Sequence, residues 1–572
     1  MALKDRIAVS RGDSPADLVL HNGRVVDVLA GDVYTADIAI HEGFVVGVDK
    51  GYQGCEQIDL KGRYVAPGLI DAHLHIESSM VTPREYARAV LPHGVTTVIT
   101  NPHEIANVLG VPGIRFMLRN AETSPLATFV TLPSCVPPTP LATSGAQLDP
   151  QNMAPLLAEK MVIGLGEVMN FPGVVAADPR VLAEIALCAG RPLDGHCPGL
   201  GGKGLNAYVT AGIRSDHECV AVDEAREKLR LGMRVFIREG SAARNLKDLL
   251  PLVTPENDRW VCLCTDDRHP GELIDDGSID HAVRLAIGAG VKPLQALRMA
   301  TLNTAEHFRL FDRGFVGPGR WADLMVFSDL RAPRAELVFA AGRLVAKDGA
   351  MVPGVITEGE TAAEATVRHT VRVDWNAVSF KMAAEERKMR VIVMVPGQVL
   401  TEERIAEPRV EEGCVVSDPL RDILKLAVIE RHHGSGRVGL GFAQGFGLRR
   451  GAVAATVAHD HHNLMVLGCD DVSMMTAARA VAQAGGGQCV ALGEKVLDLL
   501  PLPIAGLMSD CSVDEVRRLG ERQQRAAREL GSPLADPFMP LSFMGLEVIP
   551  SLKLTDKGYV DIGRFSVVPL YV

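Results

Sequence analysis

The sequence predicts an α/β protein built on a (β/α)8 barrel, with a small β domain formed by the segments flanking the barrel and a C-terminal α+β domain. Three observations predict it. Eight short apolar runs recur between residues 67 and 312, most of them separated by helical stretches, and eight βα units in roughly 250 residues is barrel size. Several runs are continuously apolar rather than alternating, as parallel strands buried on both faces are. Polar residues gather at the C-terminal ends of the runs, where a barrel carries its chemistry.

Taken in order, residues 1–66 carry from residue 17 the stretch DLVLHNGRVVDVLAGDVYTADIAIHEGFVVGV, short alternating strands broken by HNG, AGD and HEG turns. The same style returns at 313–351, so the two pieces are expected to form one β domain around an insertion. The insertion, 67–312, holds the runs GLIDAHLHIE, VTTVITNPHE, ATFVTLPSCV, VIGLGEVMN, PLDGHCPG, GIRSDHECV, MRVFIREG and VCLCTDDRHP. Helices are expected at PREYARAVLPHG, PRVLAEIALCAG, AVDEAREKLRLG and HAVRLAIGAG. Residues 352–369, small and acidic, read as a linker. Beyond it, 370–572 is expected to carry strands at RVIVMVPG, RVGLGFAQGFG, GAVAATVAHDHHNLMVLG and GQCVALG, and helices at DVSMMTAARAVAQAGG and SVDEVRRLGERQQRAARELG.

Composition narrows the function. The chain has 572 residues, 47% apolar and 23% charged, as ordinary globular proteins are. No run of 18 apolar residues is present and the first residues lack a signal-like apolar core, so neither a membrane span nor secretion is expected. A net charge of −11 without basic runs and an aromatic content of 5% argue against a nucleic-acid binder. The 11 cysteines are scattered, without a CxxC, which fits reduced, buried thiols and a cytoplasmic protein.

The candidate chemistry sits on the runs. His73 and His75 stand two apart at the end of the first run, so one strand face presents both imidazoles. Glu167 on run four, His196 and His217 on runs five and six, and Asp266 on run eight follow. Four imidazoles and two carboxylates suffice for two divalent cations about 3.5–4 Å apart sharing a hydroxide. Glu167 could bridge the ions, and Asp266 could take the proton from the attacking water, with Asp267 the next choice. His103 and Glu104 are a possible further ligand or substrate contact, and Arg238 and Glu239 either substrate-pocket residues or a structural ion pair. In the C-terminal domain His459 and His461 could share a strand face and bind an accessory ion, whereas His432 and His433 read as a turn. The pattern points to metal-assisted hydrolysis and leaves the substrate open.

Longer stretches narrow the substrate. PGLIDAHLHIESSM at 67–80, NPHEIANVLG at 101–110, LDGHCPGLGGKGLNAYVTAGI at 193–213, IREGSAARNL at 237–246, CTDDRHP at 264–270 and AHDHHNLMVLG at 458–468 resemble the bacterial adenine deaminase family of the amidohydrolase superfamily. The resemblance implies hydrolysis of adenine to hypoxanthine and ammonia in purine salvage, by a metal-bound hydroxide attacking C6. It implies that His73, His75 and Asp266 hold one ion, His196 and His217 the other, and that Glu167 bridges them. The ions implied are manganese or iron, with zinc admissible. Adenine is then the small-molecule partner, and a homo-oligomer is expected. Asn101 and Asn170 stand where the family commonly has Asp. Two competing readings are kept: another amidohydrolase acting on an aminated heterocycle or cyclic amide, and an inactive binding or scaffold protein on the same fold.

Overall fold

A computed structural model describes residues 2–359, 364–396 and 398–572; residues 360–363 of the expected linker and Gly397, the last residue of the RVIVMVPG run, lie outside the described residues. All eight apolar runs are strands: β1 (Leu69–Leu74), β2 (Val95–Thr100), β3 (Ala127–Pro133), β4 (Val162–Val168), β5 (Leu193–Gly195), β6 (Ser215–Asp216), β7 (Arg234–Arg238) and β8 (Val261–Cys264). β1 to β5 pair in parallel as one curled sheet, and β6 to β8 as a second. A parallel bridge, Leu74 with Asp266, joins the end of β1 to the end of β8. The fold is thus a curled parallel half-barrel with a second parallel sheet beside it.

Burial on both faces explains the unbroken apolar sequence of these strands. Ile70, Ala72, Ile99, Phe129, Phe236, Cys262 and Cys264 point inward and pack with Phe308. Cys262 and Cys264 share one face, as a two-residue spacing dictates, and all 11 cysteines are free thiols. The outward face packs under helices such as Pro83–Val90 and Ile279–Gly288. Pro at N1 starts the first of these, where its missing N–H costs nothing.

Segments from both sides of the insertion meet in one nine-stranded sheet. Strand Leu324–Phe327 lies antiparallel to Tyr64–Pro67, with Leu324 opposite Pro67 and Val326 opposite Val65. The C-terminal region carries an eight-stranded sheet flanked by the helices Asp471–Gln483 and Val513–Glu529. Two features of it depart from expectation. Ile423–Ile429, an unexpected strand, lies inside the sheet between Val438–Gln444 and Leu464–Gly468. The stretch 451–468 is not one strand but two, Ala452–Ala455 and Leu464–Gly468, paired antiparallel around a turn that carries His459, Asp460, His461 and His462. Four consecutive ionisable side chains do not suit a strand buried on both faces, and the chain reverses there instead. The C-terminal region also reaches the half-barrel directly: Thr139 donates to Glu547 at 3.0 Å, Thr143 N–H to Asp556 at 2.8 Å, and Asn463 to the Thr143 carbonyl at 2.8 Å.

Candidate functional site

The C-terminal ends of the strands bring six ionisable side chains to one point. The Glu167 carboxylate is the hub: its Oε1 lies 3.6 Å from His73 Nε2, 3.6 Å from His75 Nε2, 3.5 Å from His196 Nδ1 and 3.3 Å from His217 Nε2. Asp266 Oδ1 lies 3.1 Å from His75 Nε2 and 3.9 Å from His73 Nε2. All six are at least largely buried. Glu167 and Asp266 both take left-handed backbone conformations, with φ of 42° and 59°. Non-glycine residues adopt such angles at a cost, and they concentrate at functional sites.

Surrounding groups decide which nitrogen of each ring faces inward. His73 Nδ1 contacts Asp194 at 2.9 Å, and His75 Nδ1 donates to the Asn101 carbonyl at 2.9 Å. Both histidines therefore present Nε2 to the centre, the arrangement by which outer groups fix a ligand's tautomer. Asn101 also donates to Glu167 Oε2 at 2.8 Å. An amide there needs no proton beside the carboxylate, whereas an Asp would. Asn170 is remote in role: its side chain caps the helix Phe171–Val175 by accepting from Gly173 N–H at 2.9 Å.

The donor atoms of the cluster fit cations. Burial opposes ionisation of Glu167, yet the neighbouring His75 and His103 hold its carboxyl well below the usual range. Burial likewise works against His73, but its bonds to Asp194 and Glu167 pull it up to about 10. Asp266, despite burial, is held well below the usual carboxylate range by Arg238, which donates to its Oδ2 at 2.6 Å, and by His75. His196 Nδ1 and both nitrogens of His217 are buried without a hydrogen-bond partner. Imidazole nitrogens that converge on a shared carboxylate and find no proton partner fit divalent metal ions. The triads His73, His75, Asp266 and Glu167, His196, His217 each bring three donor atoms within 4.8 Å of one another.

The remaining expected site residues divide. His103 stands between two carboxylates, with Nδ1 2.9 Å from Glu167 Oε2 and Nε2 3.2 Å from Glu104 Oε1, neither contact having hydrogen-bond geometry. Asp267 accepts from Ser78 and lines the cavity. Arg238 lines the cavity but pairs with Glu218 and Asp266, not with Glu239. Glu239 is not among the cavity-lining residues; it follows β7, where strand alternation turns successive side chains to opposite faces. His461 does not join His459. Its Nδ1 accepts from Asn463 N–H at 3.0 Å and its ring lies against Gly545. His459 and His462 instead flank Glu104, the first through Nδ1 at 2.5 Å.

A cleft of about 600 Å3 opens at the N-terminal ends of β5 to β8, far from this chemistry. The ligand cluster lines a tighter cavity of about 80 Å3, roofed from the C-terminal region by Val399, His459, Phe543, Leu546 and Ile549. Asp194 and Glu218 were not singled out in the sequence. Asp194 stands two residues before His196 and Glu218 next to His217, so position alone marked both. Nothing local to the sequence marked the apolar roof.

Two family models match the chain. The amidohydrolase family covers residues 64–362, and the adenine deaminase C-terminal domain covers 398–566. Adenine deaminase of Desulfatibacillum aliphaticivorans is 47% identical over 99% of both chains. Adenine deaminase 2 of Carboxydothermus hydrogenoformans is 45% identical, again over 99% of both. That of Methanothrix thermoacetophila is 46% identical over 100% of both.

The chain belongs to the adenine deaminase family.

Membership accounts for the C-terminal roof as well as the barrel residues, because the family's own C-terminal domain supplies it. No helix among the described residues is long and apolar enough to cross a membrane.

Proposed function

We propose that this adenine deaminase family member hydrolyses adenine to hypoxanthine and ammonia. The observation that carries the reading is the convergence of four imidazoles on Glu167, beside Asp266, in a small cavity roofed by the family's C-terminal domain. His73, His75 and Asp266 would hold one divalent ion, His196 and His217 a second, and Glu167 would bridge them. Manganese or iron suits this mixed imidazole and carboxylate set. The chemistry such ions supply is the acidification of a water molecule to a pKa near neutrality.

The residues of the chain do the rest. Asp266 accepts the proton of the attacking water, and Arg238 at 2.6 Å holds that carboxylate in place. Asn101 at 2.8 Å orients Glu167, and Asp194 at 2.9 Å keeps His73 Nε2 turned inward. Val399, Phe543, Leu546 and Ile549 exclude bulk water from the reacting carbon. A cavity so roofed would favour a flat free base over a nucleoside, whose ribose on N9 would have to pass the roof.

The reading extends to the architecture. A closed (β/α)8 barrel is supported at both seams between the two sheets. His75 N–H donates to the Asp266 carbonyl at 3.2 Å, Asp266 N–H to the His73 carbonyl at 3.0 Å, and Arg214 N–H to the Leu193 carbonyl at 3.2 Å. The units are 1–66 with 313–351, 67–312 and 370–572, joined by the linker 352–369; the protein works in the cytoplasm as a homo-oligomer. The test is kcat/KM on adenine and adenosine with released ammonia measured. Turnover of adenine alone is expected. Comparable values on both would remove the free-base cavity, and silence on both in metal-loaded enzyme would favour a cyclic amide or another aminated heterocycle.

A further inference from the structure

Asp266 removes a proton from water, but ammonia must also receive one, and the imidazoles of the metal cage are not free to give it. His75 is committed through Nδ1 to the Asn101 carbonyl and through Nε2 to the cage. His73 is committed to Asp194 and the cage. His103 has one nitrogen 2.9 Å from Glu167 and the other 3.2 Å from Glu104. His459 is different. Its Nδ1 lies 2.5 Å from Glu104 Oε1, and its ring stacks on Phe543 with centroids 5.0 Å apart and planes 15° apart. Its Nε2 makes no hydrogen bond among the described residues, is not among the enclosed unpartnered atoms, and belongs to a side chain that lines the reaction cavity.

Glu104 is itself fixed. Ala458 N–H donates to His462 Nδ1 at 3.1 Å, so the proton of that ring sits on Nε2 and is donated to Glu104 Oε2. A ring whose remaining nitrogen carries a proton is no metal ligand. The trio His459, Glu104 and His462 is therefore a hydrogen-bonded chain and not a third metal site, although its atoms lie close enough for one. A carboxylate that accepts from His459 Nδ1 orients the ring and stabilises its charged form, as in other carboxylate and histidine pairs.

We propose that His459 is the general acid of the reaction, giving its Nε2 proton to the departing C6 amino group. The inference rests on the reading of the chain as an adenine deaminase. The step balances as follows. The water oxygen bonds to C6 and passes one proton to Asp266, while its second proton ends on the purine ring nitrogen of the hypoxanthine lactam. The C6–N bond breaks, its electron pair leaves with nitrogen, and nitrogen takes the His459 proton to depart as ammonia. The proton on Asp266 then restores His459. The groups around the ring suit a donor: burial disfavours the imidazolium, but Glu104, Asp267 and Asp460 raise it to about 9, with His462 the basic neighbour on the far side of Glu104.

The experiment compares two leaving groups on metal-loaded full-length enzyme. Adenine must lose an amine that needs a proton; 6-chloropurine loses chloride, which does not. His459→Asn, with His459→Gln as a second variant should the first fold poorly, is assayed on both, and metal content is measured alongside. The expected result is a loss of about 10²–10⁴ on adenine, with less than a tenfold loss on 6-chloropurine and unchanged metal content. Parallel losses on both substrates, or no loss on adenine, would overturn the proposal. Wild-type enzyme that turns over neither adenine nor 6-chloropurine would instead defeat the underlying activity, and the proposal with it.

Discussion

Two carboxylates in this protein are each ringed by histidines, and the two settings differ. Around Glu167 Oε1 the nitrogens of His73, His75, His196 and His217 stand off at 3.3–3.6 Å, and those of His196 and His217 have no proton partner. Around Glu104 the nitrogen of His459 closes to 2.5 Å, and that of His462 must carry its proton because Ala458 N–H occupies the other. The first group has room for ions and lone pairs to bind them. The second has its lone pairs spent. A count of His and Glu residues cannot separate the two; the second nitrogen of each ring does.

The sharpest way to break this comparison is to count metal. Chelation should take activity on adenine to background, a loss of at least about 10³ given what a polarised water contributes. Two equivalents of divalent ion per chain should restore it, by metal analysis against activity. Three tightly held equivalents would make the Glu104 group a metal site after all. Next in size is Asp266→Asn, which keeps an oxygen for the ion and removes the base. A fall in kcat of about 10²–10⁴ is expected, with metal content near wild type; turnover within a few fold would pass the role to Asp267.

Asn101→Asp sharpens the Glu167 side. It sets a second carboxyl 2.8 Å from Glu167 Oε2, and like charges so close raise one of the two pKa values. The acid limb of the kcat/KM profile should move to higher pH, with a loss of about tenfold or less at pH 7. An unmoved limb would mean that Asn101 does not bear on the cage.

The smallest expected effect is on stability at the Glu104 side. His459 rises from its ordinary value near 6.5 to about 9 in the fold. A histidine raised on folding gives stability that is complete below the unfolded value and is lost as pH climbs through the folded one. The melting advantage of wild type over His459→Asn should therefore be full at pH 6 and fade between about 6.5 and 9, from about 3 kcal/mol at most. Thermal melts across that range measure it; a constant gap would say that Glu104 and His459 do not share charge.

Much of the fold was legible because it rests on local pattern. The eight apolar runs of 67–312 are the eight parallel strands, and helices such as Asp471–Gln483 carry their own start signals: Asp470 accepts from Ser473 N–H at the cap. The convergence of His73, His75, Glu167, His196, His217 and Asp266 was legible for the same reason, since each ends or closely follows a strand. The illegible parts are long-range. Ile423–Ile429 is buried on both faces and apolar but for Lys425, so periodicity cannot tell it from a buried helix. The pairing of His459 with Glu104 joins residues 355 apart, and the choice of His462 over His461 depends on a turn where one would expect a strand. Glu239, unlike Arg238, does not line the cavity, because adjacent residues of one motif face opposite ways around β7.

The antiparallel pairing of Tyr64–Pro67 with Leu324–Phe327 also sets a timetable for synthesis. The first strand leaves the ribosome about 250 residues ahead of its partner, and at about 5–20 residues per second it waits roughly 10–50 s. Throughout that interval the nascent sheet ends in an unpaired edge, which is a template for joining another chain. The catalytic insertion emerges during the same interval, so the half-barrel must collapse while the sheet beside it is still open. Chaperone demand in this protein should thus fall on the nascent N-terminal sheet, and it should end when residues 324–327 arrive to seal it.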